Sequence, residues 1–201
     1  MKASLRRNQI LECAKDIFSH KGYYKTHVED VLREAGIGKG TFYQYFRNKE
    51  DLFIALLVRF LDDWEKAVLT TATTGLAKEN IQDYYKALIK RSLQFFHDNE
   101  ALCNIYLRVG TGISDTFEPY IEEFEKKMLK YVIDDLERGV NAGIIREDLD
   151  IEMTANFLLG AFLRIDYYYF LFKKGGSGRV DIDLIAEQFF SFMMDGILLH
   201  T

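Results

Sequence analysis

From Gly38 the chain reads Gly38-Lys39-Gly40-Thr41-Phe42-Tyr43-Gln44-Tyr45-Phe46. Two phenylalanines four residues apart share one face of a helix. Lys39, Thr41, Tyr43, Gln44 and Tyr45 are then presented on the other side. That set suits the edges of base pairs: a glutamine amide bonds adenine bidentately, a lysine reaches guanine acceptors, and a threonine methyl meets a thymine methyl. Each good base contact contributes on the order of 1–3 kcal/mol of discrimination. Gly38 and Gly40 leave the helix start free of bulk, so its backbone can approach a duplex closely. Lys49, at the opening of the next helix, lies beside backbone N–H groups that have no partner within the helix, a combination that suits a phosphate oxygen. Thr26, at the start of the preceding helix, is expected to do the same from the other side. Phosphate contacts of this kind set register and carry little sequence information.

The elements that must hold these residues are legible around them. A first helix over about residues 5–19 carries Ile10, Leu11, Ala14, Ile17 and Phe18 at three- and four-residue spacing. Lys21-Gly22 ends it. Thr26-His27-Val28-Glu29 reads as a capping box, with Thr26 as the N-cap and Glu29 reaching back. A short second helix, 28–35, stops at Gly36, and a third, 39–46, follows after two residues. Phe42 and Phe46 are expected to pack on Ile17, Val28, Val31 and Leu32. Asn48 caps a fourth helix whose first turn holds Glu50 and Asp51, negative charge at the positive end of the helix dipole. That helix continues through Leu52, Leu56, Leu57, Phe60, Leu61 and Trp64 towards residue 72. The ensemble is a helix-turn-helix laid out for the major groove of DNA.

Composition narrows the alternatives. Of 201 residues, 48% are hydrophobic and one is proline, enough to bury a core and too little proline to break helices. Periodicity is that of helices, without a long alternating strand pattern. Net charge is −5, but residues 1–50 carry +4, so a basic head is followed by an acidic body, and only the head is expected to meet phosphate. The N-terminus lacks the apolar run of a signal peptide. No segment offers the roughly 20 uninterrupted apolar residues of a membrane helix. Cys13 and Cys103 read as free buried thiols, which suits the cytoplasm. His20, His27, His97 and His200 stand apart, with no second ligand at metal spacing, and no nucleophile elbow, phosphate loop or HExxH motif appears. No metal site, cofactor or catalytic residue is expected.

Residues from about Arg7 to Leu56 resemble the N-terminal domain of the TetR/AcrR family of bacterial transcriptional regulators. The match is carried by Ile10, Ala14, Phe18, Gly22, Tyr23, Thr26, Val28, Val31, Ala35-Gly36-Ile37, Lys39-Gly40-Thr41-Phe42-Tyr43, Tyr45-Phe46 and Asn48-Lys49-Glu50-Asp51-Leu52. Leu32 departs from it, where the family usually has a small alanine. The resemblance implies an all-helical, dimeric, one-component regulator, usually a repressor released by a small ligand. In that pattern Lys39, Gly40, Thr41, Tyr43, Gln44, Tyr45 and Lys49 touch DNA, and a dimer reads a palindromic operator.

The chain is therefore expected to be all-α, with about nine helices: a three-helix DNA-binding domain over 1–48 and a ligand-binding and dimerisation domain over 49–201, connected by a long helix 49–72. Residues 70–80, Thr-rich and weak in periodicity, look like a boundary, and 173–179 a basic loop. Five helices follow, near 80–97, 100–112, 115–141, 151–173 and 181–199. Aromatic residues crowd this part, which fits an apolar cavity between helices. Tyr106, Arg108, Phe124, Phe162, Asp166 and Tyr169 are expected to line it, with an ion pair among Arg108, Arg164 and Asp166 as the simplest arrangement of these charges. Phe157, Gly160, Ala161, Arg164 and Tyr168 on one helix, and Ile185, Phe189, Phe192, Met193 and Gly196 on another, form apolar faces suited to a four-helix dimer interface. The competing reading is a helical small-molecule-binding protein or enzyme without DNA affinity.

Overall fold

The computed structural model describes residues 2–69, 81–109, 116–172 and 180–197, and every element among them is helical. In order these are α1 (Lys2–Lys21), α2 (Val28–Ala35), α3 (Lys39–Tyr43), α4 (Lys49–Leu69), α5 (Ile81–Asp98), α6 (Glu100–Val109), α7 (Glu118–Asn141), α8 (Ile151–Asp166), which runs on as a π-helical segment (Tyr167–Phe172), and α9 (Ile182–Ile197). The expected boundary at 70–80, the loop 173–179, the ends of the helices expected to reach 72, 112 and 199, and the start of the one expected at 115 lie outside the described residues, as does His200.

Local signals explain the helix ends. Gly22, Gly36 and Gly143 take positive φ, and the Gly36 and Gly143 amides return to carbonyls of the helices they close. At α4, Asn48 Oδ1 accepts from the Asp51 amide at 2.8 Å while the Asp51 carboxylate accepts from the Arg47 amide at 2.9 Å. Asp150 caps α8 by accepting from the Met153 amide at 2.9 Å. The cap of α2 differs from expectation. His27 is the N-cap, its amide donating to Asp30 Oδ2 at 3.1 Å, whereas Thr26 turns inward and donates to the Gly22 carbonyl at 2.7 Å. The Thr26 hydroxyl is used to close the α1–α2 turn, so it cannot also cap.

The chain divides into two compact units, Met1–Asp63 with Asn99–Glu122, and Trp64–Asp98 with Glu123–Thr201. The first packs Ile10, Leu11, Ala14 and Phe18 of α1 with Val31, Phe42, Phe46, Leu52, Phe53 and Leu56. An aromatic cluster runs through it: Tyr23 stacks on Phe18 and meets Phe53 and Phe117 edge-on or tilted. Helix α6 lies against α1, with Asn104 Nδ2 donating to the Ser19 carbonyl at 3.3 Å.

In the second unit α5 packs on α9, where Lys86 pairs with Glu187 at 3.2 Å and Lys90 with Asp183. The buried core includes Trp64, Leu93, Phe96, Met128 and Ile145. Ile145 folds back on α7, so that a Cβ built on Gly139 would stand 2.5 Å from Ile145 Cδ1. Gly139→Ala is therefore expected to cost about 1–3 kcal/mol through overpacking. Removing that methyl with Ile145→Val should recover part of the loss in urea unfolding; equal penalties in both backgrounds would disprove the clash.

Candidate nucleic-acid interface and internal cavity

Helix α3 is five residues long, too short to persist by itself. Two anchors hold it. Phe42 is fully buried and Phe46 nearly so, their ring centroids 5.8 Å apart, and the Phe46 amide donates to the Phe42 carbonyl at 3.0 Å. With that face committed, Lys39, Gly40, Tyr43 and Gln44 are exposed, and Thr41 and Tyr45 are partly so. The five expected base-reading residues and Gly40 are thus together on the solvent side of α3 and the turn that follows it. A Cβ on Gly38 or Gly40 would meet no atom of this chain within 4 Å. The space at these glycines is not used by the fold and stays open to whatever approaches from outside.

Charge is arranged around this surface. The Lys39 ammonium lies 3.0 Å from Glu29 of α2. Both side chains are solvated, so the pair contributes little to stability and the lysine can exchange Glu29 for a nucleic-acid acceptor. Lys49 is more constrained. Its Nζ donates to the Tyr23 carbonyl at 2.9 Å and sits 4.2 Å from the centre of the Tyr23 ring. Burial lowers its pKa. An ammonium carries three donors, so Lys49 keeps others for a phosphate while the Tyr23 carbonyl fixes its position. Asp30 is held down to about 2, first by the His27 amide and then by the Lys21 ammonium 3.0 Å away. Thr26 is fully buried, and its hydroxyl is engaged with Gly22, so it does not join the surface group. His27, exposed beside it at the start of α2, occupies the position expected of Thr26.

The second unit encloses a cavity of about 160 Å³ walled by α4, α5, α7, α8 and α9. Most of the wall is apolar, including Trp64, Val68, Ile89, Met128, Leu158 and Phe162. One corner is polar. Asp135 Oδ1 accepts from Tyr84 Oη at 2.8 Å and from Arg138 at 2.9 Å, with Tyr85 beside them. On another side Tyr131 donates to Glu65 at 2.9 Å, joining α7 to α4.

Of the five expected pocket residues whose side chains are described, only Phe162 lines this cavity. Tyr106 stacks on Phe60 in the first unit, with centroids 5.4 Å apart. Phe124 packs edge-on against Trp64, behind the wall. Tyr169 lies against Tyr168. The Arg108 side chain is outside the described residues. Asp166 is fully buried, and neither carboxylate oxygen has a partner among the described residues. Arg164 does not pair with it; its guanidinium lies over the Tyr167 ring at 5.4 Å. Burial alone pushes the Asp166 carboxyl well above its ordinary value.

The expected dimer faces divide in two. Phe157, Gly160, Ala161 and Arg164 on α8 and Tyr168 in the π-helical segment are exposed, Phe157 at 72%. On α9, Phe192 is 79% exposed and Gly196 is also on the surface, but Ile185 and Met193 are buried and Phe189 and Met193 line the cavity. The apolar stripe of α9 is wide enough to serve two neighbours, and its inner half is taken up within the chain. Tyr84, Tyr85, Asp135 and Arg138 were not anticipated. A signal existed, because Met128, Tyr131, Val132, Asp135 and Leu136 recur at three- and four-residue spacing and set an aspartate on the apolar face of α7.

Among the described residues no group of three His, Cys, Asp or Glu could hold a metal ion, and no helix is long and apolar enough to cross a membrane. Residues 10–56 match the profile described as bacterial regulatory proteins, tetR family. The HTH-type transcriptional repressor KstR2 of Rhodococcus jostii (strain RHA1) is 28% identical over 194 residues, spanning 96% of this chain and 91% of the repressor. Among solved structures, the ketosteroid transcriptional regulator KstR2 of Mycobacterium tuberculosis superposes with a TM-score of 0.73 at 25% identity, covering 97% of this chain and 96% of its own. FadR from Bacillus subtilis, in complex with stearoyl-CoA, shares the fold with a TM-score of 0.80 at 19% identity, over 96% and 98% of the two chains.

Proposed function

We infer that this chain, which belongs to the TetR family of bacterial regulatory proteins, is a ligand-responsive transcriptional repressor. The observation that carries this reading is the exposed group Lys39, Thr41, Tyr43, Gln44 and Tyr45, held outward by the buried anchors Phe42 and Phe46. In this reading residues 1–48 bind double-stranded DNA, with α3 in the major groove, Gly40 at close approach and Lys49 on a phosphate. Residues 49–201 bind the effector and dimerise. The relatives are regulators, and the protein acts by binding, not catalysis.

Dimerisation uses the exposed faces of α8 and α9, where Phe157, Tyr168 and Phe192 are too apolar and too prominent for an unpartnered surface. Two heads held about one helical turn apart, roughly 34–36 Å, enter successive major grooves of a palindromic operator. The protein works in the cytoplasm, where that DNA is. The effector is small and largely apolar, in keeping with the cavity wall. Helix α4 carries Lys49 at its start and the wall residues Trp64 and Val68 near its end, so a ligand that displaces the wall acts on the same helix that sets the head. It shifts operator affinity only by preferring one arrangement of the heads over the other, typically by about 1–3 kcal/mol.

Operator binding, followed by fluorescence anisotropy on DNA from the chain's own upstream region, tests this reading. Gly40→Ala is the informative variant, because a Cβ there is free of this chain and an alanine favours a helix. Stability should hold or rise slightly while operator affinity falls about tenfold. Lys49→Ala should weaken binding to all sequences alike and lower the salt slope by about 1. Absence of site-specific binding at low salt by folded, ligand-free protein would refute the repressor.

A further inference from the structure

We propose that the cavity takes a molecule that is apolar apart from one hydroxyl group, which donates to Asp135 Oδ2 and accepts from Tyr85 Oη. The proposal rests on the reading of the cavity as the effector site and names the chemistry that the site selects.

Asp135 is the buried carboxylate of the cavity wall, its side chain 9% exposed. Both of its donors, Tyr84 Oη and Arg138 Nη2, arrive at Oδ1. Oδ2 receives no hydrogen bond from the described residues, although a carboxylate oxygen accepts two. Tyr85, also in the wall, is 4% exposed, and its hydroxyl lies beside the Asp135 carboxylate without closing a full hydrogen bond among the described residues. Burial first, and the Asp135 carboxylate second, push the Tyr85 pKa up, so the group remains a phenol with a proton to donate. The corner therefore presents a buried phenol that closes no full hydrogen bond, next to a carboxylate oxygen that accepts none from the described residues. Folded proteins rarely leave buried polar groups in that state unless something else satisfies them.

The chemistry of the missing group follows from what the corner already contains. The Arg138 guanidinium balances Asp135, so a cation gains no uncompensated partner, and a carboxylate would be set beside a carboxylate. A hydroxyl is the smallest group that offers a donor and an acceptor from one atom. Beyond the corner the wall presents Ile89, Met128, Leu158 and Phe162, which suit hydrocarbon.

Isothermal titration calorimetry with n-octanol and its isomer heptyl methyl ether tests the assignment, since the ether keeps the acceptor and loses the donor. The wild type should bind n-octanol about fivefold tighter than the ether. Tyr85→Phe should weaken both about threefold to tenfold, with a melting temperature close to the wild type because the hydroxyl closes no full hydrogen bond within the chain. In Asp135→Asn the amide oxygen keeps Tyr84 and Arg138 and the NH2 group replaces Oδ2, so the preference for the alcohol should vanish; its melting curve verifies that it is folded. Equal binding of the two probes by the wild type, a preference that survives Asp135→Asn, no effect of Tyr85→Phe, or no binding of either probe overturns the proposal. Operator anisotropy on the same samples separates it from the reading it rests on. Operator binding without probe binding sinks the hydroxyl site alone. An alcohol preference abolished by Asp135→Asn, with operator affinity unmoved by n-octanol, supports the site and sinks its role as the effector site.

Discussion

Replacing Asp166 by asparagine is expected to stabilise the protein at neutral pH. The carboxyl is fully buried, neither oxygen has a partner among the described residues, and burial raises its pKa well above the ordinary 3.8. The folded state therefore keeps the proton that the unfolded chain releases once pH exceeds its ordinary value. Between the two pKa values the unfolded state binds fewer protons, so stability falls as pH rises, by about 1.4 kcal/mol per unit. Asparagine has the shape of the neutral acid and no proton to lose. Urea unfolding of the two proteins should give equal stability near pH 4 and a gap that widens towards neutrality. A variant that is the less stable of the two at neutral pH would show that the carboxyl is charged and partnered in the folded state.

The second large effect separates holding α3 in place from using it. Phe42→Ala is expected to cost about 3–5 kcal/mol and to remove operator binding. Phe42 is 0% exposed on a five-residue helix that has little stability apart from its anchors, so the cavity left behind releases the whole reading surface. Tyr43, the next residue, is 56% exposed. Tyr43→Ala should leave stability within about 0.5 kcal/mol while cutting operator affinity about tenfold. Denaturant unfolding and anisotropy on the same preparations give both quantities. If Tyr43→Ala loses stability and affinity in proportion, the ring belongs to the fold and not to the interface.

Sequence pattern located the head closely and the cavity poorly, for a physical reason. Helix ends are written locally: Gly22, Gly36, Asn48 and Asp150 act within a few residues, and α2 spans the expected 28–35. Even there the cap of α2 was misassigned. Thr26 and His27 can both stand before Val28, and the choice depended on a bond from Thr26 back to Gly22 across the preceding turn. Helix α3 ends at Tyr43, not at Phe46, because Gln44 and Tyr45 go into a turn while Phe46 still reaches the core. The cavity is assembled from five helices separated along the chain. Periodicity tells which face of a helix is apolar, not which helix it will meet. Tyr106 and Phe124 are as buried as expected but face Phe60 and Trp64. Phe189 and Met193, on a stripe assigned outward, face inward instead.

The π-helical segment Tyr167–Phe172 follows directly on Asp166. A π turn holds one residue more than the α turn it replaces, because each bond spans five residues instead of four. Deleting one residue within 167–172 can therefore be absorbed by relaxing that stretch to α, without turning the buried Asp166 outward. Elsewhere in α8 the same deletion would rotate every later side chain by about a quarter turn. The segment is thus the place in this helix where chain length can drift between descendants while the faces of α8 keep their assignments.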